Sequence, residues 1–496
     1  MNALPGSHPI LTCDEARALE ARVLGGEEAK EWAAMQRAGR AIASAVGHDF
    51  EEMGGLPSRT RILVLAGKGH NGGDAVIAAQ ALLERFPAAT ADVLFAFGSR
   101  ALRPLAERAW RQLNAAASDR VRQISELAPA TAFDLCLDGL FGFQFRPPAE
   151  PRIRELIASV NAHPIRLRAA VDLPSAGLFR ADFTYATGSV KTPVVGAPEA
   201  GRVRFLDLGF FSDVAGVADP GSGTDRVLTT DVLSPLAGLR PPQSDKRSYG
   251  HVFIVGGSTG YPGALLMTVL AALRSGAGLV TVFAPESMVP AFAARAPEAM
   301  WVAWPETPSG GLALEGEHLL RERLSRATSL VIGPGLGRGA ETLALARSLV
   351  AQSTVPLVID ADALQPDIVG AGKAPCIVTP HAGEFTRIKG ALESSAKTTR
   401  VLKGSVTRIV SGASTYHSFF GGPVLARGGS GDLLAGLIGG LLAQTPDQPL
   451  NAAARGVVWH GLAADLLAQA HGQVAVHTAQ VLDYLPAALR MPAHEQ

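Results

Sequence analysis

The stretch "RILVLAGKGHNGGDAVIAAQALLERF", Arg61 to Phe86, decides the fold. The run "RILVLAG" is apolar enough for a buried strand and stops at Gly67. The turn "KGHNGGD" follows, and the spacing of "AVIAAQALLERF" predicts a helix that starts at Ala75. A strand, a glycine turn and a helix in this order can seat a pyrophosphate on the helix N–H groups. The turn is neither G-x-G-x-x-G nor a Walker loop, and a tight turn with Asp74 as helix cap fits the same residues. Asn71 and Asp74 inside it favour a ligand site.

The alternation continues outward in both directions. "CDEARALEARVL" and "EWAAMQRAGRAIASAV" predict amphipathic helices, and "ADVLFAFG", "FDLCLDGLFG" and "LRAAVDLP" predict buried strands. Beyond a loop-like region from Asp213 to Tyr249 the pattern restarts with "HVFIVGG", "GLVTVFAPE", "SLVIGPG", "PLVIDADAL", "CIVTP" and "TRIVSG". The expected class is α/β with largely parallel sheets, in two domains. With 496 residues the chain exceeds one ordinary core, and the expected extents are 1–222, a linker 223–246, and 247–496.

Composition narrows the function. The residues are 47% hydrophobic and 18% charged with a formal net charge of zero, which gives no electrostatic case for a nucleic acid or an anionic membrane as partner. Cys13, Cys136 and Cys376 form no C-x-x-C pair, a pattern that suits reduced thiols in a cytoplasm. The N-terminal stretch lacks the pattern of a signal peptide, and no apolar run reaches membrane-spanning length. Glycine- and alanine-rich helices suit close packing, in a core or in a homo-oligomer.

In open α/β sheets ligands bind beyond the carboxyl ends of the strands. Asp138 in "CLDGLFG" and Asp172 in "AVDLPS" stand at such ends, with Ser175 close by. Carboxylate, hydroxyl and Asn71 carbonyl oxygens there could hold a hard cation. In the second half "VIDADAL" carries Asp360 and Asp362, "TPHAGEF" carries His381 and Glu384, and "LKGSVT" carries Lys403 and Thr407. In "ARGGSGDLLAG", Asp432 follows a glycine turn and precedes an apolar helix. It is either a plain N-cap or a general base beside a phosphoryl-transfer site, and the local residues leave both open.

These motifs, taken in order, resemble those of the bifunctional NAD(P)H-hydrate repair enzymes, over nearly the whole chain. "GKGHNGGDA", "LDGLFG" and "VDLPSAG" are similar to G-x-G-N-N-G-G-D-G, V-D-A-L-F-G and V-D-I-P-S-G of the epimerase half. "GPGLG", "DADAL", "TPHAGEF", "LKGSVT" and "GSGD" are similar to the motifs of the ribokinase-like dehydratase half. The resemblance implies a Rossmann-like three-layer N-terminal domain and a ribokinase-like C-terminal one. It implies repair of the hydrates NADHX and NADPHX, with ADP, Mg2+ and K+ as cofactors.

By the same resemblance, Asp432 is the base that activates the hydrate's hydroxyl towards ADP, and Asp172 is the acid–base residue of epimerisation. The hydrate contacts implied are His70, Asn71, Gly72, Gly73, Asp74, Gly142, Phe143, Gln144, Phe145, Arg146 and Asp172 in the first half. In the second half they are Ala264, Gly335, His381 and Asp432. Lys403, Gly404, Ser405, Val406, Thr407 and Gly431 match the nucleotide-binding positions, and Asn71, Asp138 and Ser175 the potassium ligands.

Departures from the motifs are also visible. His70 replaces the first Asn, and Ala75 the closing glycine, where a methyl could crowd a phosphate. The L-D-A-D-T-G segment after Ser175 is missing, and the stretch from "HAGEF" to "LKG" reads as a short linker in place of a helix. Two alternatives carry through: an ATP-dependent small-molecule kinase, and a dehydratase with a non-catalytic N-terminal binding module.

Overall fold

The computed structural model describes residues 3–128, 131–212, 224–393 and 397–491. The chain divides into two units, one mainly His8–Val227 and the other mainly Leu228–Leu467. Short strands β1 (Ser7–Pro9) and β9 (Asp225–Leu228) contain two of the points where the chain passes from one to the other, and a short stretch, Ala468–Gln473, also belongs to the first. The expected boundary at 222/223 lies outside the described residues.

The first unit is a seven-stranded sheet of β2 (Arg61–Ala66), β3 (Thr90–Phe95), β4 (Val121–Ile124), β5 (Phe133–Gly139), β6 (Ile165–Val171), β7 (Phe183–Thr187) and β8 (Arg202–Leu206). The strands run in the order β4-β3-β2-β5-β6-β7-β8, all parallel. The chain order reverses at β2, with β3 on one side and β5 on the other. The helices are α1 (Cys13–Leu24), α2 (Glu28–Glu51), α3 (His70–Arg85), α4 (Pro104–Ala116) and α5 (Pro151–Ala162). Ile62, Val64 and Ala66 of β2 join the core cluster that holds α2, α3 and α4, while Leu63 and Leu65 join the cluster that holds α5. Burial on both faces makes the strand apolar throughout.

The second unit has β10 (His251–Val255), β11 (Leu279–Pro285), β12 (Met300–Trp304), β13 (Ser329–Ile332), β14 (Leu357–Ile359), β15 (Cys376–Val378), β16 (Thr398–Leu402), β17 (Thr407–Ser411) and β18 (Ser414–Ser418). These run in the order β18-β17-β16-β15-β14-β13-β10-β11-β12. The pairs from β16 to β12 are parallel, while β17 and β18 are antiparallel. Its helices are α6 (Pro262–Arg274), α7 (Val289–Arg295), α8 (Glu317–Arg321), α9 (Ala340–Gln352), α10 (Pro366–Val369), α11 (Ala382–Glu393), α12 (Ser430–Gln444), α13 (Pro449–His471) and α14 (Val481–Ala488). Helix α12 is buried from Leu433 to Ala443. It lies so close to α6 that a Cβ at Gly436 would fall 2.1 Å from the Thr268 carbonyl oxygen. Among the described residues no helix is long and apolar enough to cross a membrane.

Two sequence expectations need correction. Helix α3 starts at His70, so the supposed turn residues His70–Asp74 form its first turn and Asp74 is not its cap. Its N-cap is Gly69, without a side-chain hydrogen bond, so no capping side chain marks the start. The segment read as a short linker is α11 followed by β16. Ile388 and Leu392, four residues apart, turn α11 onto the core, and its start is capped by a histidine.

Candidate active sites

In the first unit the carboxyl ends of β2, β5 and β6 border a cavity of about 440 Å³. Its wall includes His70, Asn71, Asp74, Gly142, Phe143, Gln144, Phe145 and Asp172. Gly72 and Gly73 are turned inward, where a Cβ would fall 2.4 Å from the Gly67 carbonyl oxygen and 2.2 Å from Met35 Cε. Arg146 lies outside this wall and pairs with Asp14 at 3.7 Å. Ala75 faces Gly139 of β5, so its methyl packs on the sheet rather than crowding a ligand.

The three expected potassium ligands are joined by one network. Asn71 Nδ2 donates to the carbonyls of Phe141 and Val171 at 3.0 and 2.8 Å. The Phe141 N–H donates to Ser175 Oγ at 3.0 Å, and Ser175 Oγ donates to Asp138 Oδ1 at 2.7 Å. Asp138 is fully buried, and its hydrogen-bond donors, Leu140 N–H and the Ser175 N–H and Oγ, are all neutral. Burial pushes its carboxyl up to about 6 against the pull of these bonds.

Asp172 adopts φ 67, a left-handed conformation that Asp tolerates better than most residues. Its Oδ1 accepts from Lys191 Nζ at 2.5 Å in a pair only 1–3% exposed, and Lys191 also donates to the Thr187 carbonyl at 2.8 Å. Asp172 Oδ2 and Asp74 Oδ1 are buried without a hydrogen-bond partner among the described residues, and both residues border the cavity. Burial, then the Asp172 charge, pushes the Asp74 carboxyl well above the usual carboxylate range. On the same wall, burial pushes Glu20 of α1 up to about 7 against the opposing Lys191 charge. An ion-paired carboxylate facing carboxyls that favour the neutral form is an arrangement for acid–base chemistry.

The second site is built on α12. Its N-cap is Gly429 at φ 92, no side chain caps the helix, and Asp432 lies in the first turn. The N-cap reading of Asp432 therefore fails, and its carboxylate accepts no hydrogen bond from the described residues. Burial and then Asp360 push its carboxyl up to about 7, while Lys403 pulls it down. A Cβ at Gly431 would lie 3.0 Å from Lys403 Nζ, so the ammonium adjoins the open helix start. Lys403 Nζ donates to Asp360 Oδ1 at 3.0 Å, and Thr379 Oγ1 donates to the same oxygen at 2.6 Å. Burial works against the Lys403 ammonium, but Asp360, with Glu384 and Asp432, outweighs it and holds the pKa above its ordinary value.

The other expected residues surround this point. Thr268 Oγ1 of α6 donates to the carbonyls of Ala264 and Asp432 at 3.0 and 3.1 Å. Gly335, at φ 63, approaches Ala264 so closely that a Cβ would lie 3.1 Å from that methyl. Asp362 accepts from the Gly337 N–H and from Arg338 Nε, both at 3.0 Å, and so latches the "GPGLG" loop. His381 Nδ1 accepts from the Gly383 N–H at 3.0 Å, and the His381 backbone N–H donates to Glu384 Oε2 at 2.9 Å. It is a helix cap whose Nε2 lies 3.4 Å from Glu384 Oε1. Gly404 and Ser405, both exposed, and the half-buried Val406 form the connection between β16 and β17, ending at Thr407.

Sequence reasoning missed Lys191, Glu20 and Thr379. Lys191 closes "ATGSVK" after a strand, a signal that was available, whereas nothing in "CDEARALEARVL" marks Glu20.

Two family models match the chain, one in each half. Residues 252–487 match the family model of NAD(P)H-hydrate dehydratase, and residues 32–197 that of the YjeF-related protein N-terminus. The chain is 33% identical to a bifunctional NAD(P)H-hydrate repair enzyme from Moorella thermoacetica, with 92% of each covered. It is 36% identical to one from Gloeobacter violaceus, with 88% of this chain and 90% of that one covered. The crystal structure of an ADP/ATP-dependent NAD(P)H-hydrate dehydratase from Bacillus subtilis matches 50% of this chain and 92% of its own, at 28% identity and a TM-score of 0.42. On the full-length likeness, the chain belongs to the family of bifunctional NAD(P)H-hydrate repair enzymes.

Proposed function

We propose that the chain repairs hydrated nicotinamide nucleotides in two steps, one in each unit. In the first unit Asp172 is the acid–base residue that interconverts the R and S epimers of NADHX or NADPHX at the hydrated carbon. In the second, Asp432 takes the proton of the S-hydrate hydroxyl as its oxygen attacks the β-phosphate of ADP. AMP leaves, the phosphorylated hydrate loses phosphate from the hydrated carbon and a proton from the ring carbon beside it, and the reduced nucleotide is restored. Gly431 and the first turn of α12 receive the transferred phosphoryl group through backbone donors. Lys403 and the segment from Gly404 to Thr407 hold the nucleotide.

The observation that carries this reading is Asp432, its carboxylate free of hydrogen bonds from the described residues in a helix turn that no side chain caps, with the Lys403 ammonium beside it. The oxygens of Asn71, Asp138 and Ser175 fit a monovalent cation, because the buried Asp138 carboxylate has only neutral hydrogen-bond donors. Bound K+ would supply that missing positive charge. We assign no protein ligand to Mg2+, which would arrive with the nucleotide; Asp360 and Asp362 are already committed to Lys403, Thr379 and Arg338. Three free cysteines fit a cytoplasmic setting.

The test is the return of reduced-nicotinamide absorbance from a mixture of both NADHX epimers with magnesium and either ADP or ATP. Complete recovery with ADP, faster than spontaneous epimerisation, is expected. Recovery absent with both nucleotides would overturn the reading.

A further inference from the structure

Asp360 is held more tightly than a residue with no task requires. It is 1% exposed at the end of β14, and its Oδ1 accepts from both Thr379 Oγ1 and Lys403 Nζ. Its N–H donates to the Ile332 carbonyl at 3.1 Å. Gly333 packs on the Asp360 carbonyl, where a Cβ would come within 1.9 Å of the oxygen. The next residue, Ala361, takes φ 50, a left-handed conformation unfavourable for a side chain with a Cβ. Observed strain beside a polar group is a pointer to function.

On the far side of the carboxylate is the open start of α12. A Cβ built at Gly431 would lie 3.0 Å from Lys403 Nζ and 3.9 Å from Asp360 Oδ2. A bare carboxylate this close to an anion cradle would repel a phosphate. Paired with Lys403 it does the reverse, because it fixes a flexible ammonium where charge develops. A donor already in place needs no reorganisation during the reaction, and that is where electrostatic catalysis gains most.

We propose that Asp360, oriented by Thr379, is a positioning residue that fixes the Lys403 ammonium at the first turn of α12, so that Lys403 acts on the phosphoryl group in transfer and not only as a nucleotide anchor. The inference rests on the dehydratase reading above. It also ties Asp360 to the base. The charged groups around Asp432 are Asp360 and Asp362 beyond β14, Lys403 beyond β16 and Glu384 of α11, and His460 of α13 faces Lys403. Removing the Asp360 charge takes away a repulsive neighbour of Asp432 and releases the ammonium towards it. Both changes move the ionisation of Asp432 to lower pH.

The test uses the full chain with S-NADHX, magnesium and ADP, for the wild type, Asp360→Asn, Asp360→Glu, Thr379→Val, Lys403→Met and the Asp360→Asn/Lys403→Met double variant. Asp360→Asn is expected to lower kcat about tenfold or more while the KM for ADP stays within about twofold. The acidic limb of its pH–kcat profile moves to lower pH, Asp360→Glu recovers part of kcat, and Thr379→Val loses less. The double variant is no slower than Lys403→Met alone, since the two residues act as one unit. Additive losses, an unmoved acidic limb, or a raised KM with kcat intact would overturn the inference. A wild type inert towards the hydrate would bring down the dehydratase reading itself, whereas an active wild type beside an unaltered Asp360→Asn brings down only the role of Asp360. Melting temperatures of all six proteins separate misfolding from lost positioning.

Discussion

At Asp432 reactivity and stability pull in opposite directions. Its carboxyl sits at about 7 in the fold against an ordinary value of 3.8, so the charged form is the costly one. Stability from this group is fully present below the ordinary value and is lost as pH rises through about 7. Asp432→Asn therefore abolishes dehydration while nucleotide still binds, and it melts above the wild type on the alkaline side of neutrality, by roughly 1–3 kcal/mol. The two melting temperatures converge in acid, and an equal gap at both ends would refute the raised carboxyl. Ala176 shows a simpler strain. It stands where the resembled motif V-D-I-P-S-G has its glycine, and it takes φ 58. Ala176→Gly should stabilise the protein by about 1 kcal/mol in denaturant titrations, and no gain would show that the turn relaxes around the methyl.

At the scale of elements, the strands were the most legible part. Alternate residues of β2 feed two different core clusters, so the whole run is apolar and its glycine stop is plain. Helix starts were less so. The expected start of α3 came five residues late, at Ala75 rather than His70, because a glycine cap leaves no side-chain signal. Helix α11 hid behind a histidine cap, a residue type outside the usual capping set. Glycines inside helices separate the same way. Alanine is intrinsically the better helix former by about 1 kcal/mol, so packing decides the sign. Gly390→Ala on exposed α11, where a Cβ meets nothing within 4 Å, should raise stability by ~0.5–1 kcal/mol. Gly436→Ala, driven into the Thr268 carbonyl of α6, should lower it by about 1–3 kcal/mol and slow dehydration, because Thr268 also holds Asp432. Calorimetric melting of both variants checks the contrast.

For the molecule as a whole, the order of the motifs carried both sites into view, and the parallel sheets explain why. All but the Asp432 motif, which opens α12, stand at strand ends, and such ends gather on one side of a sheet. What the order could not reveal was the company the motif residues keep. Lys191 is an ordinary lysine until β6 and β7 pair and bring it onto Asp172, and Glu20 borders a cavity that exists only once α1 is in place. Asp172→Asn should stop epimerisation and leave the dehydration of pure S-hydrate at the wild-type rate. Given both epimers, that variant would show a burst that ends at the S fraction and then creeps at the spontaneous rate. Slowed turnover of the pure S epimer would mean that the two activities are not separable.

The two working lysines differ in reach: the Lys191 side chain is 1% exposed, the Lys403 side chain 22%. A small amine-acylating agent, such as a reactive thioester, can therefore reach Lys403, through the small neutral fraction that its pairing with Asp360 leaves, and passes over Lys191. Such damage would leave the epimers exchanging freely while their exit to reduced nucleotide is blocked, so hydrate would accumulate as an equilibrated pool. ADP resident over Lys403 would shield it, which makes a well-supplied nucleotide pool a protectant of the repair enzyme as well as its fuel.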